Sequence, residues 1–357
     1  MSPHPDQLGF EWLDTSLDDV SIQPKKASSK RRTTSARPAA APAPATVAVA
    51  DLATLNPEAM AQALEAHPDF RVLRRLQPNM AFASAAPGAH IERVAILDTE
   101  TTGLSAEQDR IIELAVVVVD VDTATGQPVG EVKVFDGLED PGRALSSEIV
   151  ALTGITDEMV KGQHLDEAEL KRTMQGVSWV VAHNAGFDRP FVEARLPALF
   201  SALPWACSFA DMDWKAKGQA SAKLESLALA CGWFYDAHRA DVDCHALLAV
   251  LARPYDQDLT GLGHLWQQAQ RMQYKLAAVG APFESKDALK ARGYRWDSVA
   301  RVWSTSLGSD AALAKERQWL ATHVYANGFA PVRIEAQDAL TRYAKRAGEV
   351  RVEPLLD

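Results

Sequence analysis

The spacing of hydrophobic and polar positions changes period several times along this chain. RVAILD (93–98) is an apolar run ending on a carboxylate, and RIIELAVVVVD (110–120) is a longer run without a polar side, as expected of a strand covered on both faces. EVKVFDG (131–137) alternates in the period-two manner of a half-buried strand. Short turn-like links join these three, which predicts an antiparallel meander. VSWVVAHN (177–184) and PWACSFADM (204–212) supply two further strands. Helical spacing covers 166–175, 187–196, 221–231 and 239–252. The expectation is an α/β domain over 91–255, with a mixed five-stranded sheet flanked by helices.

Two regions surround it. Asn56 followed by Pro57 is a helix start, and Met60 and Leu64 recur at helical spacing. Residues 51–90 therefore read as a short helical lead-in packed on the domain that follows. ARPYDQDLTGLGH (252–264) is a turn-rich break. Beyond it the pattern predicts helix 264–275, a strand, helix 285–292, a Tyr/Trp-rich strand pair over 294–306, helix 309–325, strand 331–335 and helix 336–347. Residues 262–350 are expected to form a small α+β C-terminal domain.

Composition narrows the function classes. The chain has 357 residues and a formal net charge of −10, so its overall charge does not attract nucleic acid, and a polyanionic partner must be held by local basic patches or metal ions. No apolar run reaches the roughly 20 residues of a membrane helix. The first residues lack a basic, then apolar, leader pattern. Cys207, Cys231 and Cys244 are odd in number and have neither disulfide nor zinc spacing. A cytoplasmic, reducing setting without membrane contact is expected. Residues 1–50 read as a disordered arm. Its part from 21 to 50 has no acid, carries Lys25, Lys26, Lys30, Arg31, Arg32 and Arg37, and ends in an Ala/Pro tract. It is either a solvated linker or a basic tether for nucleic acid. FEWLDTSL (10–17) ahead of it is a candidate docking peptide.

The chemistry begins in VAILDTETTGL (94–104). Asp98 and Glu100 are two residues apart at a strand end, so both face one way, and two close carboxylates repel unless a cation lies between them. Acids recur at later element ends: Asp188 follows the strand end His183-Asn184, and His238 precedes Asp243 at a helix start. Four carboxylates suit a pair of oxygen-seeking cations, magnesium or manganese. Two such ions can clamp both oxygens of a phosphodiester displacement. A histidine with a pKa near 6.5 is suited to take a proton from water.

DTETTGL, HNAGFD and HRADVD resemble, in order and spacing, the three motifs of the DEDDh exonucleases, which include the bacterial replicative proofreading subunit, ribonuclease T and oligoribonuclease. LTGITDEMV (152–160) and KLESLALACG (223–232) resemble that family's connecting segments. The resemblance spans roughly 91–252. It implies a ribonuclease H-like fold and metal-dependent hydrolysis from a free 3′ end, releasing nucleoside 5′-monophosphates. By motif position it implies that Asp98, Glu100, Asp188 and Asp243 hold two Mg2+ or Mn2+ ions, with Asp98 bridging, and that His238 is the general base. It also implies that Thr101, Thr102 and Gly103 line the terminal nucleotide, that Leu104 wedges against its base, and that His183, Asn184 and Phe187 form the pocket wall. In H-x-A-x-x-D the ligand is Asp243 rather than Asp241.

Single-stranded DNA is the substrate expected, in repair or proofreading-like trimming. RNA is the alternative within the class, and a non-catalytic polymerase-accessory subunit the alternative outside it. A polymerase or repair partner would be engaged through the arm or the C-terminal domain. FESKDALKARGYRWDSVARVWSTSL (283–307) interleaves Lys286, Lys290, Arg292, Arg295 and Arg301 with Tyr294, Trp296 and Trp303. That pattern fits a single-strand-binding surface, or a small domain using its aromatics as core. Glu113 reads equally as a paired structural acid or as support for the site, while Asp120 and Asp122 read as solvent charges at a strand end. His245 and His264 read as packing or surface residues, and the cysteines as core.

Overall fold

The computed structural model describes residues 56–256, 258–298, 300–325 and 330–355. The expectations for residues 1–50 fall outside them. Two compact units divide at residue 72. Among its described residues the first holds one helix, α1 (Pro57–Glu65), whose first turn is closed by the Asn56 side chain accepting from the Glu58 amide.

The second unit opens with β1 (Arg74–Arg75), followed by the long strands β2 (Ile91–Thr101), β3 (Ile111–Asp122) and β4 (Pro128–Leu138). Three short helices come next: α2 (Ser147–Thr153), α3 (Asp157–Val160) and α4 (Glu167–Thr173). Then follow β5 (Trp179–Ala182), α5 (Ala185–Arg195), α6 (Pro197–Phe200), β6 (Trp205–Cys207), α7 (Leu224–Ala230), β7 (Trp233–Phe234) and α8 (Ala240–Leu251). The sheet order is β4-β3-β2-β5-β6. β2, β3 and β4 form an antiparallel meander, and β5 and β6 add in parallel. This is the mixed five-stranded sheet expected from the pattern.

β3 is buried along its first nine residues because both faces are covered. Val94, Ile96, Ala115 and Val117 pack under α8 against Cys244, Leu247 and Leu248. Ala95, Leu97, Leu114 and Val116 face the opposite layer, with Phe191 and Val192 of α5. Side chains alternate along β2, so one strand feeds two cores. Asp120 is not simply solvated: its carboxylate accepts from Arg93 at 2.7 Å across the β2–β3 pair.

A β8–β9 hairpin (Pro254–Asp256, Leu259–Thr260) and α9 (Gly261–Ala269) lead into β10 (Gln273–Ala278). The chain continues through α10 (Lys286–Ala291), β11 (Arg295–Asp297), β12 (Val302–Leu307), α11 (Asp310–His323), β13 (Pro331–Gln337) and β14 (Glu349–Pro354). The five strands form an antiparallel sheet ordered β11-β12-β10-β13-β14. Its core joins Leu276, Ile334 and Val332 to Leu289, Leu313 and Leu320 from the helices.

Two expectations need correction here. Helix 264–275 starts at Gly261 and stops at Ala269, because residues from 273 pair with β12 and β13. Residues 336–347 form no helix. The carbonyls of Ala339, Leu340 and Arg342, which a helix would use internally, accept instead from Trp205 of β6 and Arg189 of α5. Tyr343 sits at φ 65, in the left-handed region that ends a helix.

Ile96 is fully buried between β2 and α8. Ile96→Ala should lower unfolding free energy by about 2–5 kcal/mol in urea titration, the usual cost of truncating a core aliphatic. A loss under about 1 kcal/mol would mean that this layer repacks freely.

Candidate active site

The site forms where β2 ends, between the two helical layers. Asp98 and Glu100 continue the face that carries Val94 and Ile96, so they emerge beneath the start of α8, which brings Asp243. Carboxylate oxygens of Asp98, Glu100 and Asp243 lie within 4.8 Å of one another. Thr99, between the two acids, points the other way by the same alternation. Its hydroxyl donates to Asp188 Oδ1 at 2.8 Å, tying buried Asp188 of α5 to the same strand end. A bulge between Glu100 and Thr101 breaks the β3 pairing there and frees the following turn.

The electrostatics are those of an anionic cluster short of a counterion. Burial, then the charges of Asp188, Asp243 and Glu100, push the Asp98 carboxyl well above the ordinary range. Glu100 is raised to about 8 by burial and by Asp243. Burial raises Asp188 to about 7 against the opposing Thr99 hydrogen bond. Burial raises Asp243 to about 6, although the Tyr235 hydroxyl and the His238 amide stabilise its anion. The donors are all hard oxygens, the set that magnesium, manganese and calcium favour.

Asp243 is held by Tyr235 Oη at 3.0 Å and the His238 amide at 2.7 Å. His238 is exposed, at φ 65, two residues before α8. Arg239 then forms an ion pair with Glu113 at 2.6 Å, and Glu113 also accepts from the Ala240 amide at 2.8 Å. Glu113 stands opposite Glu100 in the β2–β3 register. It is a paired acid that anchors the start of α8 beside the site. A second acidic group, Glu113, Asp136 and Asp241, lies on that side. Burial, then Glu113 and Asp241, raise Asp136 to about 6. Glu113 already serves Arg239 and a backbone amide, which leaves this group less suited to a cation than the first.

The Thr-Thr-Gly turn is fixed by residues absent from the motif reading. Asp109 accepts from the Ser105 amide at 2.9 Å and pairs with Arg143 at 2.6 Å, and Arg143 reaches Thr102. A Cβ at Gly103 would meet the Asp109 carboxylate at 2.6 Å, so a larger residue there would push aside the side chain that ties the turn. Leu104 is exposed at the turn's tip.

On the α5 side Asn184 sits at φ 79 and Phe187 packs against Phe191. His183 Nδ1 lies 2.7 Å from Ser208 Oγ, and burial lowers its pKa to about 4, so the ring is neutral near pH 7. Sequence reasoning missed Thr99, Tyr235, Asp109 and Arg143. Only Thr99 left a signal, as the odd-numbered residue between two ligating candidates.

In the C-terminal domain Tyr294 is core, Trp303 is half-buried against that core, and Trp296 is 51% exposed. Arg292 is spent on Glu316 and lies over Trp319. The segment thus divides between core and surface. Asp256 pairs with His264 and Lys217, while His245 is buried. Among the described residues no helix is long and apolar enough to cross a membrane.

Residues 95–251 match the exonuclease family RNase_T. DNA polymerase III subunit epsilon of Treponema pallidum (strain Nichols) is 32% identical over 183 residues, covering 48% of this chain and 81% of that protein. DNA polymerase III PolC-type of Listeria welshimeri serovar 6b is 44% identical over 99 residues, which are 27% of this chain and 6% of that protein. The chain therefore spans only a small part of the length of the PolC-type relatives. A solved exonuclease X in complex with 5′ overhanging duplex DNA aligns with a TM-score of 0.33 at 23% identity, over 48% of this chain and 99% of that one.

The raised carboxyls set a pH dependence. Their folded-state pKa values lie above the ordinary values near 4 of the unfolded chain. The folded, metal-free protein therefore holds more protons than the unfolded chain between about pH 4 and about 8. Their stabilising contribution is full below about pH 4 and is lost as pH rises through that window. In chelator, Tm should fall from about pH 5 to about pH 8, and Asp98→Asn should flatten the slope. Millimolar Mg2+ or Mn2+ should restore Tm most at the alkaline end. A slope unchanged in the variant would remove these carboxyls as its source.

Proposed function

The chain belongs to the DEDDh-type exonuclease family, and from that premise we propose that it is a two-metal 3′–5′ exonuclease acting on DNA. The observation that carries this reading is the convergence of Asp98, Glu100 and Asp243 at one strand end, with Asp188 tied to it through Thr99. Asp98, Glu100, Asp188 and Asp243 would hold two divalent cations, Mg2+ or Mn2+. When bound, such ions supply an acidified water and charge neutralisation for an in-line phosphodiester displacement.

The chain's own residues do the rest. His238 is the general base: it stands exposed at the cluster's rim, and its backbone is pinned to Asp243, so its ring can take the proton of the attacking water. Thr101, Thr102 and Gly103 offer backbone groups to the terminal nucleotide, and Leu104 offers an apolar edge to its base. His183, Asn184 and Phe187 form the opposite wall, with His183 uncharged. Two polymerase III relatives support DNA over RNA and a role in proofreading or repair. No disulfide joins Cys207, Cys231 and Cys244, which suits a reducing cytoplasm. The domain limits at 91–255 and 262–350 belong to the same reading, with the second domain as a single-strand-binding module through Arg295 and Trp296.

A cleavage ladder on 5′-labelled single-stranded DNA and the matching RNA tests the assignment. We expect stepwise shortening from the 3′ end, faster on DNA, abolished by chelator and by Asp98→Ala. No shortening of either strand would favour a binding subunit. Asp243→Asn should abolish cleavage while Asp241→Asn keeps most of it, and the reverse would reassign the third motif. Lys290→Ala with Arg295→Ala should weaken single-stranded DNA binding and reduce its salt slope by about 1–2, because fewer phosphates are then neutralised. Unchanged binding would leave those side chains as surface only.

A further inference from the structure

The helix that carries Asp188 lacks a side-chain cap and one of its own backbone hydrogen bonds. No side chain caps α5, and Pro190 lies two residues beyond Asp188. Proline has no amide hydrogen, so the bond that residue 190 would give to the Gly186 carbonyl is missing from the turn that presents the carboxylate. Support has to come from outside the helix.

It comes from the C-terminal domain. Arg189, next to Asp188, is fully buried. Its guanidinium donates to the carbonyls of Leu340 at 2.6 Å, Arg342 at 2.6 Å and Ala339 at 3.2 Å, pairs with Glu193 at 2.7 Å, and lies over the Trp205 ring. All three carbonyls belong to the turn between β13 and β14. The Trp205 amide donates to the Ala339 carbonyl at 2.7 Å, so the same turn covers the edge of β6. Arg346 reaches back to Glu193 at 2.9 Å and to the Ser201 carbonyl at 2.8 Å. The Tyr343 hydroxyl donates to buried Asp211 at 2.7 Å, and its ring faces Gly186. Lys345 pairs with Glu107 in the loop that follows Leu104. One turn of the second domain thus grips both α5 and the loop after the Thr-Thr-Gly turn.

We infer that residues 338–346 are a positioning element of the metal site, acting on Asp188 through Arg189, so that the nuclease layer is incomplete without its C-terminal domain. This rests on the reading of Asp188 as a metal ligand. Arg189 is a positioning residue: its guanidinium is fully buried against the turn and Glu193, out of a substrate's reach. The family match ends at residue 251, whereas every carbonyl that holds Arg189 lies beyond residue 338.

The test is Mn2+ binding by calorimetry on the full chain, with circular dichroism to establish folding. Variants are Arg189→Met, Arg189→Lys, and Tyr343→Phe with Arg346→Ala, which loosens the same turn from the other domain. Arg292→Ala, which breaks the Glu316 pair inside the C-terminal domain, is the control for general destabilisation. Arg189→Met should weaken Mn2+ about tenfold, the lower end of what supporting residues around metal ligands contribute. Arg189→Lys should recover part of that, the Tyr343/Arg346 pair should lose about threefold or more on the same scale, and the control should bind as wild type. Wild-type Mn2+ affinity in the folded Arg189→Met and Tyr343/Arg346 variants would overturn the inference. If Arg189→Met does not fold, the Tyr343/Arg346 pair decides alone. A wild-type chain that binds no Mn2+ would overturn the metal-site reading itself, before any variant is compared.

Discussion

The structure is organised around carboxylates that repel one another at a half-buried strand end where little water is left to screen them. Asp98, Glu100, Asp188 and Asp243 come from one strand and two helices, and each loses solvation on being brought to the end of β2. Such a cluster opposes folding unless protons or cations neutralise it. The apolar layers must therefore hold it together. The valine-rich β3, buried along its first nine residues, forms the foundation, and the α8 and α5 layers pack on either side of β2. The same alternation that splits β2 between two cores sends Asp98 and Glu100 to one helix and Thr99 to the other. A single strand can then gather ligands from both layers.

Two of these carboxylates, Asp188 and Asp243, are held by neighbours that are not themselves candidate ligands. Thr99 holds Asp188, while Tyr235 and the His238 amide hold Asp243. Glu113 receives Arg239 and the first amide of α8, which fixes the approach of His238 from the backbone side. Asp109 and Arg143 tie down the Thr-Thr-Gly turn. These contacts are hydrogen bonds to charged groups in a partly dry setting, where geometry is held more firmly than at an exposed surface.

The C-terminal sheet has its own core, yet its last turn is built into the nuclease layer. Buried Arg342 donates to the carbonyls of Gln268 and Ala269 at 3.0 and 3.2 Å and also reaches that of Arg271, as Arg189 does to those of Ala339, Leu340 and Arg342. Burying two guanidiniums is costly, and the carbonyls they donate to offset part of that cost; among the described residues Arg342 Nε and Nη1 make no hydrogen bond, and Asp211 lies 3.6 Å from Nη1 as its counter-charge. Asp211 gathers Tyr343, Gln273 and the Cys207 amide at the same border. The two domains are joined by directional bonds that do not tolerate sliding, unlike an apolar face.

Much of this was legible in the sequence. Period-two and period-3.6 patterns are local, so β2, β3, β4 and the helices of the first domain could be placed from residue spacing alone. The D-x-E pair announced itself because alternation puts both acids on one face. The exonuclease motifs were legible for the same reason, each being a short element end. Tertiary structure decided what depends on residues far apart in the chain. Residues 336–347 have helix-forming composition, but their carbonyls go to Arg189 and Trp205, more than 130 positions away, and the helix does not form. Arg239 and Glu113 are 126 positions apart, and nothing in either neighbourhood names the other. Hydrophobic period sets which face a residue presents, and only packing sets what meets it there.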